Sequence, residues 1–194
     1  MKKAAQGIGK LIIHLELDLG LRRIDMYRLT VSSVHHGYFD VLGKGRGGGK
    51  KRTISWDEET QAILEEYFLL RNQMVDRARQ LNPRAKEPEG LLIYQKGRML
   101  GEYQLTAIDN MVIRVAKRAG ISRKITNHTL RRTCGRLLYK AGVDIAEIAD
   151  ILGHSETRTT QRYLGIRLDD QKKALAKRGE YLRGIEEGMV RDVP

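Results

Sequence analysis

The stretch HTLRRTCGRLLYKAGVDIAEIADILGHSETRTTQRYL runs from His128 to Leu164 and holds two histidines, two adjacent arginines and a tyrosine at set spacings. His128 and Arg131 lie three apart at the start of a helix, so they share a face. His154 follows Gly153, and Tyr163 comes nine positions later. Singly, each residue type is more often structural: a capped-helix histidine, a surface arginine, a half-buried tyrosine. Together they match what breaking a DNA strand without metal or water requires. An anionic phosphodiester resists attack until cations neutralise its non-bridging oxygens, and arginine does this through a planar fork that stays charged. A nucleophile that becomes covalently attached conserves the bond for rejoining. A histidine can take or hold the nucleophile's proton, and a lysine can protonate the leaving 5′-oxygen. Arg131, His128, His154, Tyr163 and Lys44 supply these types, and one further arginine is required.

The elements that must position them are mostly helices. Ile8, Leu11, Ile12, Leu15 and Leu19 keep helical spacing, and RRIDMYRL forms a second short helix. YFDVLGKGRGGGKKRTISW reads as two strands around a turn with five glycines between Gly43 and Gly49. Ser55 with Glu58 predicts a capped helix, with Ile63, Tyr67, Leu70 and Met74 on one face. QLNPRAKEPEG is a loop and LLIY a short strand. Ile108, Met111, Val112, Val115 and Ala119 give another amphipathic helix, ended by Gly120. Asn127, Asp144 and Ser155 each stand where a helix cap belongs, and Gly153 closes the helix that Asp144 opens. The predicted fold class is mainly α with one small antiparallel β-sheet.

Composition narrows the partners. Net charge is +12 and the isoelectric point about 9.9, which points to a polyanion such as nucleic acid or an acidic membrane. No apolar run approaches the roughly 20 residues of a membrane span, and Glu16 and Asp18 break the apolar start before any cleavage site. One cysteine, Cys134, forbids an internal disulfide and zinc-finger spacing and fits a reducing, cytoplasmic compartment. Five histidines raise the question of a metal, but no H-E-x-x-H spacing or carboxylate cluster accompanies them. Gly43, Gly45 and Gly48 match G-x-G-x-x-G, yet a strand rather than a helix follows, so no helix N-terminus would face a pyrophosphate. A basic hairpin tip with Lys44, Arg46, Lys50, Lys51 and Arg52 instead suits a DNA groove.

The segments LGLRRIDMYRLTV, VLGKGRGGGKKRTI, HTLRRT and ILGHSETRTTQRYL resemble the four signature segments of the tyrosine recombinases, the phage-integrase and Xer family. They occur in the family's order from roughly Gly20 to Leu164. The resemblance implies the tyrosine-recombinase catalytic-domain fold over residues 1–165, with a charged helical tail over 166–194. It makes Arg22 the first catalytic arginine, with Arg23 as its competitor, and Asp25 the acidic residue that steadies it. Lys44 becomes the general acid, with Lys50 or Lys51 as competitors; His128, Arg131 and His154 complete the phosphate site, and Tyr163 becomes the nucleophile. It implies no cofactor and no metal, double-stranded DNA as partner, no membrane, a monomeric free domain and self-association on DNA. The family's helical DNA-clamping domain usually precedes the first arginine. Only about twenty residues do so here, so the expectation is a chain without that clamp, binding DNA weakly and with strong salt dependence. Alternatives are a type IB topoisomerase-like relaxing enzyme, which H-x-L-R and L-G-H-S fit less well, a nuclease, and a DNA-binding module that does not cut.

Overall fold

The computed structural model describes residues 1–42, 51–154, 157–165 and 168–186, with the side chains at 158, 162–163 and 168–173 outside that description. Within it lie eight helices: α1 (Ile8–Leu17), α2 (Arg23–Arg28), α3 (Glu58–Leu81), α4 (Leu105–Arg118), α5 (Asn127–Lys140), α6 (Ile145–Leu152), α7 (Thr157–Leu164) and α8 (Leu168–Glu186). Strands β1 (Tyr38–Leu42) and β2 (Lys51–Ser55) form one antiparallel pair, and β3 (Ile93–Lys96) and β4 (Met99–Glu102) a second. The mainly helical class holds, with two small sheets where the sequence predicts one. The second hairpin escapes a pattern search because β4 contains Gly101, whose missing side chain leaves room for the Tyr94 ring of β3.

Helix α1 is the centre of the molecule. Spacing predicts one apolar face, but Leu11, Ile12, Ile13, His14, Leu15 and Glu16 are all buried, because α3, α4 and α5 pack against it. The buried His14 ring bonds Thr60 Oγ1 on α3 at 2.7 Å through Nε2. The cap of α3 is Asp57, whose carboxylate accepts from Thr60 N at 3.0 Å; the expected Ser55 cap is spent as the last residue of β2. Ile63 and Tyr67 face inward as predicted. Further along, the buried stripe turns to Arg71, Val75 and Ala78 and leaves Leu70 and Met74 part-exposed. Tyr67 Oη donates to Leu91 O at 2.8 Å and accepts from Ile93 N at 3.1 Å, pinning β3 to α3.

A smaller core of Ile148, Leu152 and Leu164 joins α6 and α7 to α5. Gly135 makes that approach possible: a Cβ there would lie 2.7 Å from Leu164 Cδ2 and 3.1 Å from Leu152 Cδ1. Thr126, not Asn127, caps α5 by accepting from Thr129 N at 3.2 Å, which frees Asn127 to bond Asp109. Asp144 caps α6 and accepts from Ala146 N at 2.7 Å, while Gly153 ends that helix in the left-handed region at φ 58°. The predicted Ser155 cap lies outside the described residues. On α8, Leu175, Tyr181, Leu182 and Ile185 are exposed. Among the described residues no helix is long and apolar enough to cross a membrane.

Candidate active site

Three guanidiniums converge on the C-terminal end of α6. Arg131, on α5 and 3% exposed, donates from Nη1 to Gly20 O and from Nη2 to Leu152 O. Arg22, at the N-terminus of α2, donates from Nη2 to Gly153 O at 2.8 Å. Arg52, on β2, lays its guanidinium against Gly153, where a Cβ would stand 2.8 Å from Nη1 and 2.9 Å from Cζ. The carbonyls there are the ones a helix leaves unbonded, at the negative end of its dipole, so they suit buried cations. Gly153 is required twice over, by its positive φ and by the arginine packed against it.

Asp25 is the carboxylate bonded within this group. Fully buried, its Oδ2 accepts from Arg22 N at 3.0 Å and from Arg52 Nη2 at 2.8 Å, with Arg22 Nη1 3.9 Å away. The arginine doublet therefore splits. Arg22 turns to the α6 end, while Arg23 pairs with Asp109 on α4.

His154 completes the cluster. Its Nε2 lies 3.3 Å from Arg131 Nη2 and its Nδ1 2.7 Å from Thr160 Oγ1 on α7. Arginine can only donate, so Nε2 accepts and Nδ1 carries the ring proton that goes to Thr160. Burial, followed by the charges of Arg131, Arg22 and Arg52, pushes the imidazole down to about 4. The ring is thus neutral at physiological pH, with a lone pair at Nε2 able to take a proton when an anion enters. Thr160 is fully buried, and Tyr163 lies three residues further along α7. Arg136 Nε donates to Leu164 O at 3.0 Å and so holds the end of the helix that carries Tyr163.

The sequence-predicted residues fall into three groups. Arg22, Asp25, Arg131 and His154 come together in one network. His128 is exposed in the first turn of α5, one turn ahead of the buried Arg131. Lys44, Arg46 and Lys50 lie outside the described residues, as does the side chain of Tyr163. Of the hairpin cations expected on DNA, Lys51 is exposed and paired with Leu42, whereas Arg52 turns inward to Asp25. That inward turn sets Arg52 apart from the exposed Lys51. Its cause is strand parity: Arg52 shares a face with Ile54, which is buried.

Other participants were not singled out in the sequence. Thr160 could have been found as the second threonine of T-T-x-x-Y. Asp109, which binds both Arg23 and Asn127, carries no local signal. Cys134 is no rival nucleophile, because burial pushes its thiol up to about 12. Among the described residues no group of three His, Cys, Asp or Glu side chains is placed to hold a metal.

Residues 2–169 match the model of the phage integrase family. The chain is 25% identical over 185 residues to tyrosine recombinase XerA of Saccharolobus solfataricus, covering 95% of this chain and 53% of that protein. It is 29% identical over 161 residues to tyrosine recombinase XerC of Thermodesulfovibrio yellowstonii, covering 82% and 50%. The chain thus spans about half the length of the curated relatives it matches. Among solved structures, the crystal structure of XerA recombinase superposes with a TM-score of 0.68 at 24% identity, over 87% of this chain and 57% of that one. XerH site-specific recombinase bound to palindromic difH substrate, a post-cleavage complex, gives 0.63 at 24%, over 87% and 45%. These two establish a shared fold.

Proposed function

The chain belongs to the phage integrase family, and on that premise we propose that it cuts and rejoins double-stranded DNA in site-specific recombination or integration. The Tyr163 hydroxyl attacks the scissile phosphorus, the bond from phosphorus to the 5′-oxygen breaks, and a 3′-phosphotyrosyl link forms. Lys44 gives the departing 5′-oxygen its proton, and a histidine of the site receives the proton of the phenol. The 5′-hydroxyl of a partner strand then attacks the phosphotyrosine and releases the enzyme. Arg22 and Arg131 stabilise the negative charge that grows on the phosphate oxygens, with His128 and His154 beside them. Arg46, Lys50 and Lys51 follow the DNA backbone. Residues 1–165 form the catalytic domain and 166–194 a tail; the free domain is monomeric, associates on DNA, and works in the cytoplasm.

The observation that carries this reading is the convergence of Arg22 and Arg131 on the α6 end beside a neutral His154, joined through Thr160 to the helix of Tyr163. A cluster of guanidiniums around an uncharged imidazole is electrostatically suited to an incoming phosphate. The test is covalent trapping on nicked DNA duplexes. Wild-type chain forms a protein–DNA adduct that survives denaturation, and Tyr163→Phe loses it while keeping DNA affinity. An adduct at normal yield from the Phe variant would show that the nucleophile is another residue.

A further inference from the structure

We propose that Arg52 is a positioning residue of the cleavage site, holding Asp25 and the Gly153 turn so that Arg22 and His154 face the phosphate. Its guanidinium does two jobs at once. Nη2 donates at 2.8 Å to Asp25 Oδ2, the oxygen that also accepts from the Arg22 amide. The flat face lies on Gly153, with Nη1, Cζ and Nε at 2.8, 2.9 and 3.0 Å from the place of an absent Cβ. The side chain is 15% exposed, and its Nε is buried with no acceptor among the described residues. A group bonded on its edge and covered on its face is not free to follow a DNA backbone, as the exposed Lys51 next to it is. Arg52 thereby links three separate elements: β2, the start of α2 that carries Arg22, and the end of α6 that precedes His154. Lysine has a compact head and no planar face, so it cannot both bond Asp25 and cover Gly153.

The inference rests on the strand-cleaving reading, and its test separates the two. In the full chain, Arg52→Ala should slow adduct formation at saturating DNA by at least about tenfold while changing DNA affinity less than about twofold. Arg52→Lys, which keeps the charge, should restore little of the rate. DNA with sulfur at the bridging 5′-position, whose leaving group needs no proton, should leave the deficit in place. Combining Arg52→Ala with Asp25→Asn should cost much less than the product of the two single losses, because both break one contact. By NMR, the His154 ring in Arg52→Ala should titrate higher than in the wild type, since one of the cations facing it (Arg22, Arg131 and Arg52) is gone. Lys51→Ala, which removes an exposed cation, should lower DNA affinity more than Arg52→Ala does.

The inference is overturned if Arg52→Ala weakens DNA binding with a normal saturated rate, if the two losses multiply, or if His154 titrates unchanged. A wild-type chain that forms no adduct would break the cleavage reading instead. The His154 titration and the coupling of Arg52 with Asp25, measured on unfolding free energy, would then still decide the role of Arg52.

Discussion

Asp25 and Glu16 are both fully buried near the same cationic centre, Asp25 bonded to Arg22 and Arg52 and Glu16 under the charge of Arg131. On the α2 side, the Asp25 carboxylate accepts directed bonds from the Arg22 amide and the Arg52 guanidinium. On the α1 side, neither Glu16 oxygen has a hydrogen-bond partner among the described residues. Burial first, and then the charge of Asp109, push the Glu16 carboxyl up to about 9 against the pull of Arg131 and Arg23. The two acids share full burial and differ in hydrogen bonding. The consequence reaches the site: a protonated Glu16 does not offset the charge of Arg131, which stays available to a phosphate.

Removing the bonded acid should have the larger effect. Asp25→Asn keeps an acceptor for the Arg22 amide but leaves Arg52 half-enclosed without its counter-charge. Breaking one partner of a buried pair costs about 3 kcal/mol or more, which urea unfolding at neutral pH would measure. A loss under about 1 kcal/mol would place this pair with exposed salt bridges and remove the contrast with Glu16.

Changing the unbonded acid should do the opposite. The carboxyl of Glu16 titrates near 4.5 in the unfolded chain and near 9 in the folded one. Between those values folding must take up a proton, so the contribution of Glu16 to stability is full below about 4.5 and falls as pH rises toward 9. Glu16→Gln has no such proton to acquire. The variant should match wild type near pH 4.5 and gain steadily above it, by at most about 4 kcal/mol at pH 7.5. Melting temperatures of the two proteins across pH 5 to 8 give the difference directly, because every other titrating group is common to both. A gap that does not widen with pH would mean that Glu16 is ionised in the folded state.

The contrast also marks what the sequence discloses. Residues fixed by local rules were legible: Asp144 and Gly153 bound α6 where capping chemistry requires, and the segments on either side of the glycine run pair as antiparallel β1 and β2. Motif spacing picks out Arg22, Arg131 and His154 from distant parts of the sequence, and the fold brings the three side chains together at the α6 end. The inward turn of Arg52 was legible in principle, since a strand alternates and Ile54 must face the core. Composition argued the other way, because a basic run reads as a groove-facing surface. Pairs fixed only by tertiary packing carried no signal. Asp109 meets Arg23 and Asn127 from 86 and 18 positions away. Glu16 looked like a break in an apolar stretch, whereas residues 11–16 of α1 are all buried, Glu16 among them.

The smallest expected effect lies in the arginine doublet, where neighbours in sequence belong to opposite sides of the comparison. Arg22 sits with Asp25 and reaches Gly153 O, whereas Arg23 sits on the Glu16 side and pairs with Asp109. The Arg23 side chain is 42% exposed and that of Asp109 32%, so solvent screens the pair, and losing it should cost less than about 1 kcal/mol. Arg23→Ala should therefore change adduct formation by less than about threefold, while Arg22→Ala removes a group facing the developing charge and should lose about 10²–10³-fold. Arg23→Ala should also leave a mark that Arg22→Ala does not. Arg23 is one of two cations drawing the Glu16 carboxyl down, so without it Glu16 holds its proton more firmly, and the stability gained by adding Glu16→Gln goes on growing to a higher pH before it levels off, a difference read above about pH 9. Single-turnover cleavage and melting curves of the two single variants, and of Arg23→Ala with Glu16→Gln, test both halves. A crippled Arg23→Ala beside a near-normal Arg22→Ala would exchange the roles of the two arginines and move the catalytic centre to the Glu16 side.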